Sequence, residues 1–428
     1  MNIAFYTLGC KVNQYETQSL RELFIKKGYT AVSEDAPFDA LIINSCTVTA
    51  ESDRKTRQTL RHFRKDNPNA VIVLTGCMVQ AFPEDSKELG EADIIVGNSD
   101  ISIIPELVEQ FLREGQRIIH TPPHEKKERF NTPVIADFAE RTRAYMKIED
   151  GCERYCTYCI IPTARGVVRS KPLDEIKTEA ERLALNGYSE IVLVGINLSA
   201  YGKNEDFNLC DAVDAVCSIE KIKRVRLGSL EPDHISDEML NRFKAQPKFC
   251  PQFHLSLQSG CDETLKRMNR HYDTLFYSDL VSRIRATFPD SAITTDIMVG
   301  FAGETEEEFN QSLSFAEKTG FAKAHIFAYS RRSGTVAYGL SNQVSRKEKA
   351  ERSKKMIAAT SKTEQEFLSS QIGKTFPVLF ERCADGTAEG YTPNYSRVLV
   401  KTDENLSGQI INVEIISAEN DFCYGKTV

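Results

Sequence analysis

The chain has 428 residues, a formal net charge of −7, 41% hydrophobic residues and 27% charged ones, values of a soluble globular protein with two or three domains. No apolar run approaches bilayer length, and the N-terminal MNIAFYTLGCKVN has no basic n-region or cleavage site, so a cytoplasmic location is expected. Thiols stay reduced there, so the twelve cysteines read as metal ligands or core residues rather than disulfides. The acidic balance means that any contact with nucleic acid must come from a local basic face.

The first part alternates strands and helices. Ile3–Leu8, Ala40–Asn44, Val71–Thr75 and Ala92–Gly97 are short apolar runs of the kind expected for buried parallel strands. Asn13-x-x-Glu16 reads as a capping box, followed by Leu20, Leu23 and Phe24 at helical spacing and Gly28 as a stop. This predicts an open parallel α/β domain over 1–118. The polar, proline-containing HTPPHEKKERFNTPV then predicts a linker over 119–142. A second alternation follows over 143–370, with strands at Ala144–Ile148, Glu190–Val194, Arg224–Leu227, Gln252–Leu257, Ile293–Val299 and Ala324–Phe327. Helical patterns such as Leu173–Leu185 and Thr305–Lys318 lie between them, so a partial or full (β/α) barrel is expected, closed by the charged amphipathic helix Ser345–Leu368. Residues 371–428 change character: PVLF, SRVLVK and IINVEII, separated by Gly386, Gly390 and Gly408, predict a small β-barrel of about five strands.

Two cysteine groups carry chemistry. Cys152-x3-Cys156-x2-Cys159 places three thiols on one loop, just after the first barrel strand, where catalytic loops of such barrels sit. A structural zinc site wants four closed ligands, and no histidine lies between His124 and His234 to supply a local fourth. Three thiols can instead clamp three corners of a cubane cluster and leave one iron open to the amino and carboxylate groups of a substrate molecule. Cys10, Cys46 and Cys77 each end a predicted parallel strand, in FYTLGC, LIINSC and IVLTGC. The carboxyl ends of parallel strands line the ligand crevice of an open α/β sheet, so these three read as a second three-thiolate site. Cys210 and Cys217 have core spacing on a helix.

The barrel triad, with Tyr158 before its third cysteine, resembles the signature of the radical S-adenosylmethionine superfamily. Both triads together, in this order, resemble the methylthiotransferase family over essentially the whole chain: cluster domain, radical barrel, then a TRAM-like barrel. TLGCKVNQYE, INSCTVT and GCERYCTYCIIPTARG match the branch that modifies N6-threonylcarbamoyladenosine at tRNA position 37. The resemblance implies two [4Fe–4S] clusters, two S-adenosylmethionine molecules per turnover, and transfer of a methylthio group to the adenine C2. One S-adenosylmethionine methylates sulfur held at the Cys10 site and the other yields the 5′-deoxyadenosyl radical at the Cys152 site. Its partners would be the tRNA anticodon stem–loop and a low-potential electron donor such as flavodoxin or ferredoxin, with the protein acting as a monomer.

That resemblance also directs attention to the barrel's strand ends. Gly195 and Asn197 in LVGIN, Ser229 and Glu231 in LGSLEP, and Gln258 in HLSLQSG are expected around S-adenosylmethionine. TTDIMVGFAGET resembles the family's adenine-side segment and adds Asp296 and Gly300, while Arg270 offers a bidentate partner for a carboxylate. For RNA, Arg54, Arg57, Arg61 and Arg64 recur at helical spacing after the Cys46 loop. Arg331 and Arg332 follow the last barrel strand. The C-terminal unit holds five basic against eight acidic side chains, so Tyr391, Asn394 and Tyr395 are expected to contact RNA by stacking and hydrogen bonding. Rival readings are the same chemistry on N6-isopentenyladenosine in tRNA or on an aspartate of ribosomal protein S12. A different class is a non-catalytic RNA-binding protein whose cysteines hold zinc.

Overall fold

The structure is a computed structural model that describes residues 1–138 and 142–428. The chain opens with a six-stranded sheet in the order Thr30–Val32, Asn2–Thr7, Ala40–Ser45, Val71–Gly76, Ile94–Val96 and Ile118–His120. Every pairing in it is parallel. The two central strands are buried along their whole length, because their alternate residues serve two cores. Ile42 and Val73 face Leu20 and Phe24 of the helix Lys11–Lys26. Leu41, Ile43, Ile72 and Leu74 face Leu60 and Phe63 of the helix Ala50–Asp66. Both faces are therefore apolar, which is what makes such strands visible as continuous runs. The two edge strands, three residues each, are too short to show a pattern.

The first helix corrects one expectation. It begins at Lys11 with Cys10 as its N-cap and no side-chain cap, so Asn13 and Glu16 are not a capping box. Both are buried, and each accepts a hydrogen bond from Arg165 of the next unit at 3.0 Å. Residues 121–138 run without regular structure and pack closely: the Pro133 carbonyl accepts hydrogen bonds from Tyr15 and Ser19, each at 3.2 Å. Thr132 accepts from Lys147 at 3.0 Å, and Ile135 and Phe138 enter the central core. The part of the expected linker at 139–141 lies outside the described residues.

The central unit has Ala144–Lys147, Glu190–Val194 and Arg224–Leu227 in one parallel sheet. Ser229–Leu230, Gln252–Leu255, Ala292–Val299 and Lys323–Ala328 form a second. A parallel bridge between Val225 and Phe249 joins them, giving an open barrel. Val12 and Tyr15 of the first helix lie in this unit's core, so the N-terminal sheet is docked against it. Capping boxes at Thr305/Glu308 and Ser345/Glu348 start the helices Glu306–Thr319 and Arg346–Ser369. The C-terminal strands close a five-stranded barrel in the order Thr375–Ala384, Thr387–Tyr391, Arg397–Lys401, Phe422–Thr427, Ile410–Glu419. Arg224 and Arg226 fasten it to the central unit by donating to the carbonyls of Tyr391 at 2.9 Å and Pro393 at 2.8 Å. Among the described residues no helix is long and apolar enough to cross a membrane.

Candidate cluster-binding site at the domain junction

Strand register brings the first three thiols together. Asn44 pairs with Thr75 and Ser45 with Gly76, so Cys46 and Cys77 leave the sheet side by side. Thr7 pairs with Asn44 from the other side, which delivers Cys10 to the same edge. Asn13 ties two of the loops by donating to the carbonyls of Leu8 at 2.9 Å and Ser45 at 3.0 Å. The approach is close: a Cβ on Gly9, whose φ is +113°, would sit 3.0 Å from the Cys46 Cβ and 3.2 Å from its Sγ. Gly76 has φ +100°, and a Cβ there would lie 2.5 Å from both Asn44 Oδ1 and the Ser45 carbonyl. These glycines let three thiol-bearing turns crowd into one crevice. Burial pushes the Cys77 thiol up to about 12, against the lowering effect of the Arg165 charge. A thiol so placed becomes a thiolate when a metal offsets its charge.

The second group lies on the loop after Glu149–Asp150. Cys152 N–H donates to the Gly166 carbonyl at 3.0 Å and Cys159 N–H to that of Cys156 at 2.9 Å, while Thr157 N–H reaches Met268 at 3.1 Å. Each group offers three thiols around one crevice or loop, the donor set that holds a four-iron cluster and leaves one iron open.

Beside Cys152 the strand ends present buried polar atoms with no hydrogen-bond partner. Glu149 Oε1, Asn197 Oδ1 and two guanidinium nitrogens of Arg154 are in this state. Such atoms are costly unless a ligand satisfies them. Asn197 N–H donates to the other Glu149 oxygen at 2.7 Å, and a Cβ on Gly195 would come within 2.5 Å of that oxygen. Burial raises the Glu149 carboxyl well above its ordinary range, leaving it able to donate a proton to a hydrogen bond. Arg154, which sequence reasoning missed although it stands inside the cysteine motif, pairs with Asp233 at 2.7 Å and lies 3.7 Å from Glu231. These groups fit the amino, carboxylate and ribose functions of S-adenosylmethionine.

Other expected site residues have different employment. Arg270 is not a free carboxylate partner: its guanidinium donates to Cys156 Sγ at 3.2 Å, to the Tyr272 hydroxyl at 3.0 Å and to Glu231. Tyr158 packs in the cluster of Met268, Phe301 and Tyr329 beneath the loop. Gln258, at φ +67°, bridges to Asp296 and Met298 through its backbone. Gly300 seats the side chain of Lys349 and donates to Glu304 at 2.8 Å, so it belongs to helix packing. Ser229 and Asp296 line a cavity of about 490 Å³ that runs inside the open barrel to the C-terminal barrel, within the size range of small-molecule sites. His254 lies 3.3 Å from Asp296 there.

The arginine stripe is mostly neutralised. Arg54 pairs with Glu51 at 2.6 Å and Arg61 with Glu91 at 3.2 Å. Arg64 is committed to Asp93 at 2.5 Å and to the carbonyls of Glu91, Pro68 and Ala70, so it is a strut rather than an RNA contact. Arg57 is half-buried on the same helix. Arg331 is exposed with its guanidinium 4.4 Å from the Tyr338 ring. Arg332 is buried, paired with Asp53 at 2.7 Å and bonded to Thr47; it pins the Cys46 loop instead of forming a rim. Tyr391 and Tyr395 stack on each other with centroids 4.8 Å apart. Arg143 lies against both rings and Arg226 against Tyr395, so these tyrosines are largely interface. Asn394 is buried and bonded to Thr392, Ser396, Gln371 and the Asp290 carbonyl, which removes it from RNA contact.

One arginine unites the two groups. Arg165, six residues after Cys159 and wholly buried, donates Nε–H to Cys77 Sγ at 3.1 Å. It also donates to Asn13 at 3.0 Å and to Glu16. Asn98 spans the same gap, donating to the Ala164 carbonyl at 3.0 Å and approaching Cys77 Sγ at 3.9 Å. The thiols of the N-terminal sheet thus abut the segment that follows the thiols of the barrel.

Comparison with known proteins agrees with this layout. Residues 2–97 match a family described as uncharacterized protein family UPF0004, and residues 146–316 match the radical SAM superfamily. The chain is 36% identical to the threonylcarbamoyladenosine tRNA methylthiotransferase MtaB of Bacillus subtilis, with 100% of this chain and 96% of that protein covered. It is 37% identical to the enzyme of the same name from Thermotoga maritima, covering 91% and 89% of the two chains. Against the tRNA-2-methylthio-N(6)-dimethylallyladenosine synthase of Clostridium perfringens identity is 34%, over 99% and 96%. Among solved structures, the radical S-adenosylmethionine methyltransferase TsrM of Kitasatospora setae shares the fold at a TM-score of 0.58 and 14% identity, over 76% of this chain and 72% of that one. The chain belongs to the radical S-adenosylmethionine methylthiotransferase family.

Proposed function

We propose that the protein attaches a methylthio group to C2 of N6-threonylcarbamoyladenosine at position 37 of tRNA. Its supports are full-length likeness to proteins named for that reaction and the contact of Arg165 with Cys77, which carries the reading because it sets both thiol groups on one junction. Bound at Cys152, Cys156 and Cys159, a [4Fe–4S] cluster with S-adenosylmethionine supplies the carbon radical that an unactivated C2–H bond requires, and a second cluster at Cys10, Cys46 and Cys77 supplies the methylated sulfur.

The chain's own groups position and enclose. Glu149, Asn197 and Arg154 hold the polar parts of S-adenosylmethionine, using atoms that otherwise lack partners. Arg270 fixes Cys156 and Arg165 fixes Cys77 through donated hydrogen bonds. The barrel cavity receives the base, which an anticodon loop presents unpaired. Arg57, and Arg331 beyond the last barrel strand, guide the phosphates. An external low-potential donor supplies electrons, and the protein works as a monomer of three units, 1–118, 143–370 and 371–428.

The test is anaerobic turnover of reconstituted protein with reductant, S-adenosylmethionine and threonylcarbamoyladenosine-bearing tRNA, read by nucleoside mass spectrometry. A methylthio-shifted nucleoside with 5′-deoxyadenosine alongside is the expected result. Shift of isopentenyladenosine alone, favoured by the likeness to the dimethylallyladenosine enzymes, would transfer the assignment to that acceptor.

A further inference from the structure

The barrel cavity is lined by four basic residues besides its histidines: Lys11, Arg226, Lys323 and Arg397. Three are neutralised. Arg226 pairs with Glu190 at 2.8 Å, Lys323 with Glu364 at 3.0 Å and Arg397 with Glu389 at 2.8 Å. Lys11 makes no ion pair or hydrogen bond among the described residues; its ammonium rests 5.8 Å from the centroid of the Tyr145 ring. Its surroundings are unbalanced as well. Burial acts on it most, followed by the charges of Arg143 and Arg226, with Glu190 and Cys10 opposing. Glu190 is shared by Arg226 and Arg224, with Arg143 4.0 Å away, and Arg143 also pairs with Glu381. Lys11, Arg143, Arg224 and Arg226 thus share Glu190 and Glu381 in this corner. The cavity's other carboxylates stand by partners of their own, Glu364 by Lys323, Glu389 and Asp421 by Arg397 and Asp296 by His254. Lys11 alone of the cavity's four lysines and arginines faces it without an ion pair among the described residues. Such a corner binds an anion.

We infer that Lys11 is the binding group for the carboxylate of the substrate's threonylcarbamoyl arm, and so a determinant of acceptor choice. The inference rests on the proposed acceptor. Its geometry follows from the chemistry of adenine: C2 and C6 are both bonded to N1, so a substituent on N6 shares the edge that C2 presents to the sulfur source. Lys11 directly follows Cys10, and from that place it reaches the arm while C2 faces the Cys10 group. An isopentenyl arm has no charge to offer, and would leave the ammonium in the cavity without a counter-ion.

The experiment is a binding cycle on anticodon stem–loop RNAs. Adenosine 37 carries either the threonylcarbamoyl arm as the free carboxylate or the same arm as its carboxamide. Dissociation constants are measured anaerobically by fluorescence anisotropy with reconstituted protein and no S-adenosylmethionine. A charge-assisted hydrogen bond in a cavity corresponds to a preference for the carboxylate of roughly 10- to 100-fold in the unaltered protein. K11Q reduces that ratio to nearly one, and K11R keeps most of it. The ratio is taken within each variant, so general loss of affinity or of iron cancels. Retention of the original ratio by K11Q, or absence of any ratio in the unaltered protein, overturns the inference while turnover of the threonylcarbamoyl tRNA leaves the acceptor assignment intact. Absence of that turnover, with conversion of isopentenyl tRNA, overturns both.

Discussion

Replacement of Arg165 by Met removes a buried charge from the junction at nearly constant volume. In the native structure Glu16 and Arg165 are both buried, and Glu16 also accepts from Lys147 at 2.7 Å. Burial pushes the Glu16 carboxyl up, yet the charges of Arg165 and Lys147 outweigh it and the net shift is downward. A carboxyl lowered in this way contributes stability above its unfolded value of about 4.3, and loses it only as pH falls through the lower folded value. In R165M the sign reverses. Lys147 is then one ammonium shared between two buried carboxylates, Glu16 at 2.7 Å and Asp150 at 2.6 Å, and the excess negative charge is relieved by proton uptake at Glu16. Holding that proton at pH 7, nearly three units above about 4.3, costs about 3.7 kcal/mol at 1.36 kcal/mol per unit; at pH 5 the same account gives about 1 kcal/mol. Hydrogen exchange of peptides covering 11–26 and 144–150, corrected for intrinsic rates, reads this directly. Protection should fall several hundredfold at pH 7 and about fivefold at pH 5. A deficit equal at the two pH values would refute the protonation of Glu16 and the account of the junction built on it.

Three further outcomes follow from the same geometry. Lys171 and Glu179 are both wholly buried and paired, so K171M should cost about 3–5 kcal/mol in chemical denaturation, and K171M with E179L should recover most of it. G76A places a Cβ 2.5 Å from the Ser45 carbonyl at φ +100° and should displace Cys77. Its iron and sulfide content should drop to about half, with the barrel cluster's electron paramagnetic resonance signal retained; full iron would remove Gly76 from the argument. R57E combined with R331E should weaken tRNA binding and lower the slope of log affinity against log salt by about one per lost phosphate contact. An unchanged slope would place the RNA elsewhere.

Much of the framework is legible in the residues. Strands whose two faces are both covered read as unbroken apolar runs, which is why LIINS and VIVLTG stand out while the half-exposed strands Thr30–Val32 and Ile118–His120 do not. Three cysteines, each just past a strand end, imply a shared crevice because parallel strands deliver their carboxyl ends to one edge. The local cysteine motif specifies its own loop. Helical spacing was a poorer guide to the arginines. It gave Arg64 the right face of the helix but not its employment, since Asp93 and the Glu91 carbonyl that occupy it, beside the nearby carbonyls of Pro68 and Ala70, come from a turn far along the chain.

What the sequence determined by itself was whatever depends on neighbours along the chain: element type, the turn glycines at the thiol loops, the spacing of Cys152, Cys156 and Cys159, and hence the family of chemistry. The tertiary structure alone decided which charges find each other. Arg165 reaches Cys77 across 88 positions and Glu16 across 149. Arg332 is drawn to Asp53 and away from any rim, and Lys11 is left facing the cavity with no ion pair among the described residues. Ion pairing is set by distance in space and by burial, neither of which a linear pattern encodes, so the same residue types become strut, clamp or binding group only when the units dock.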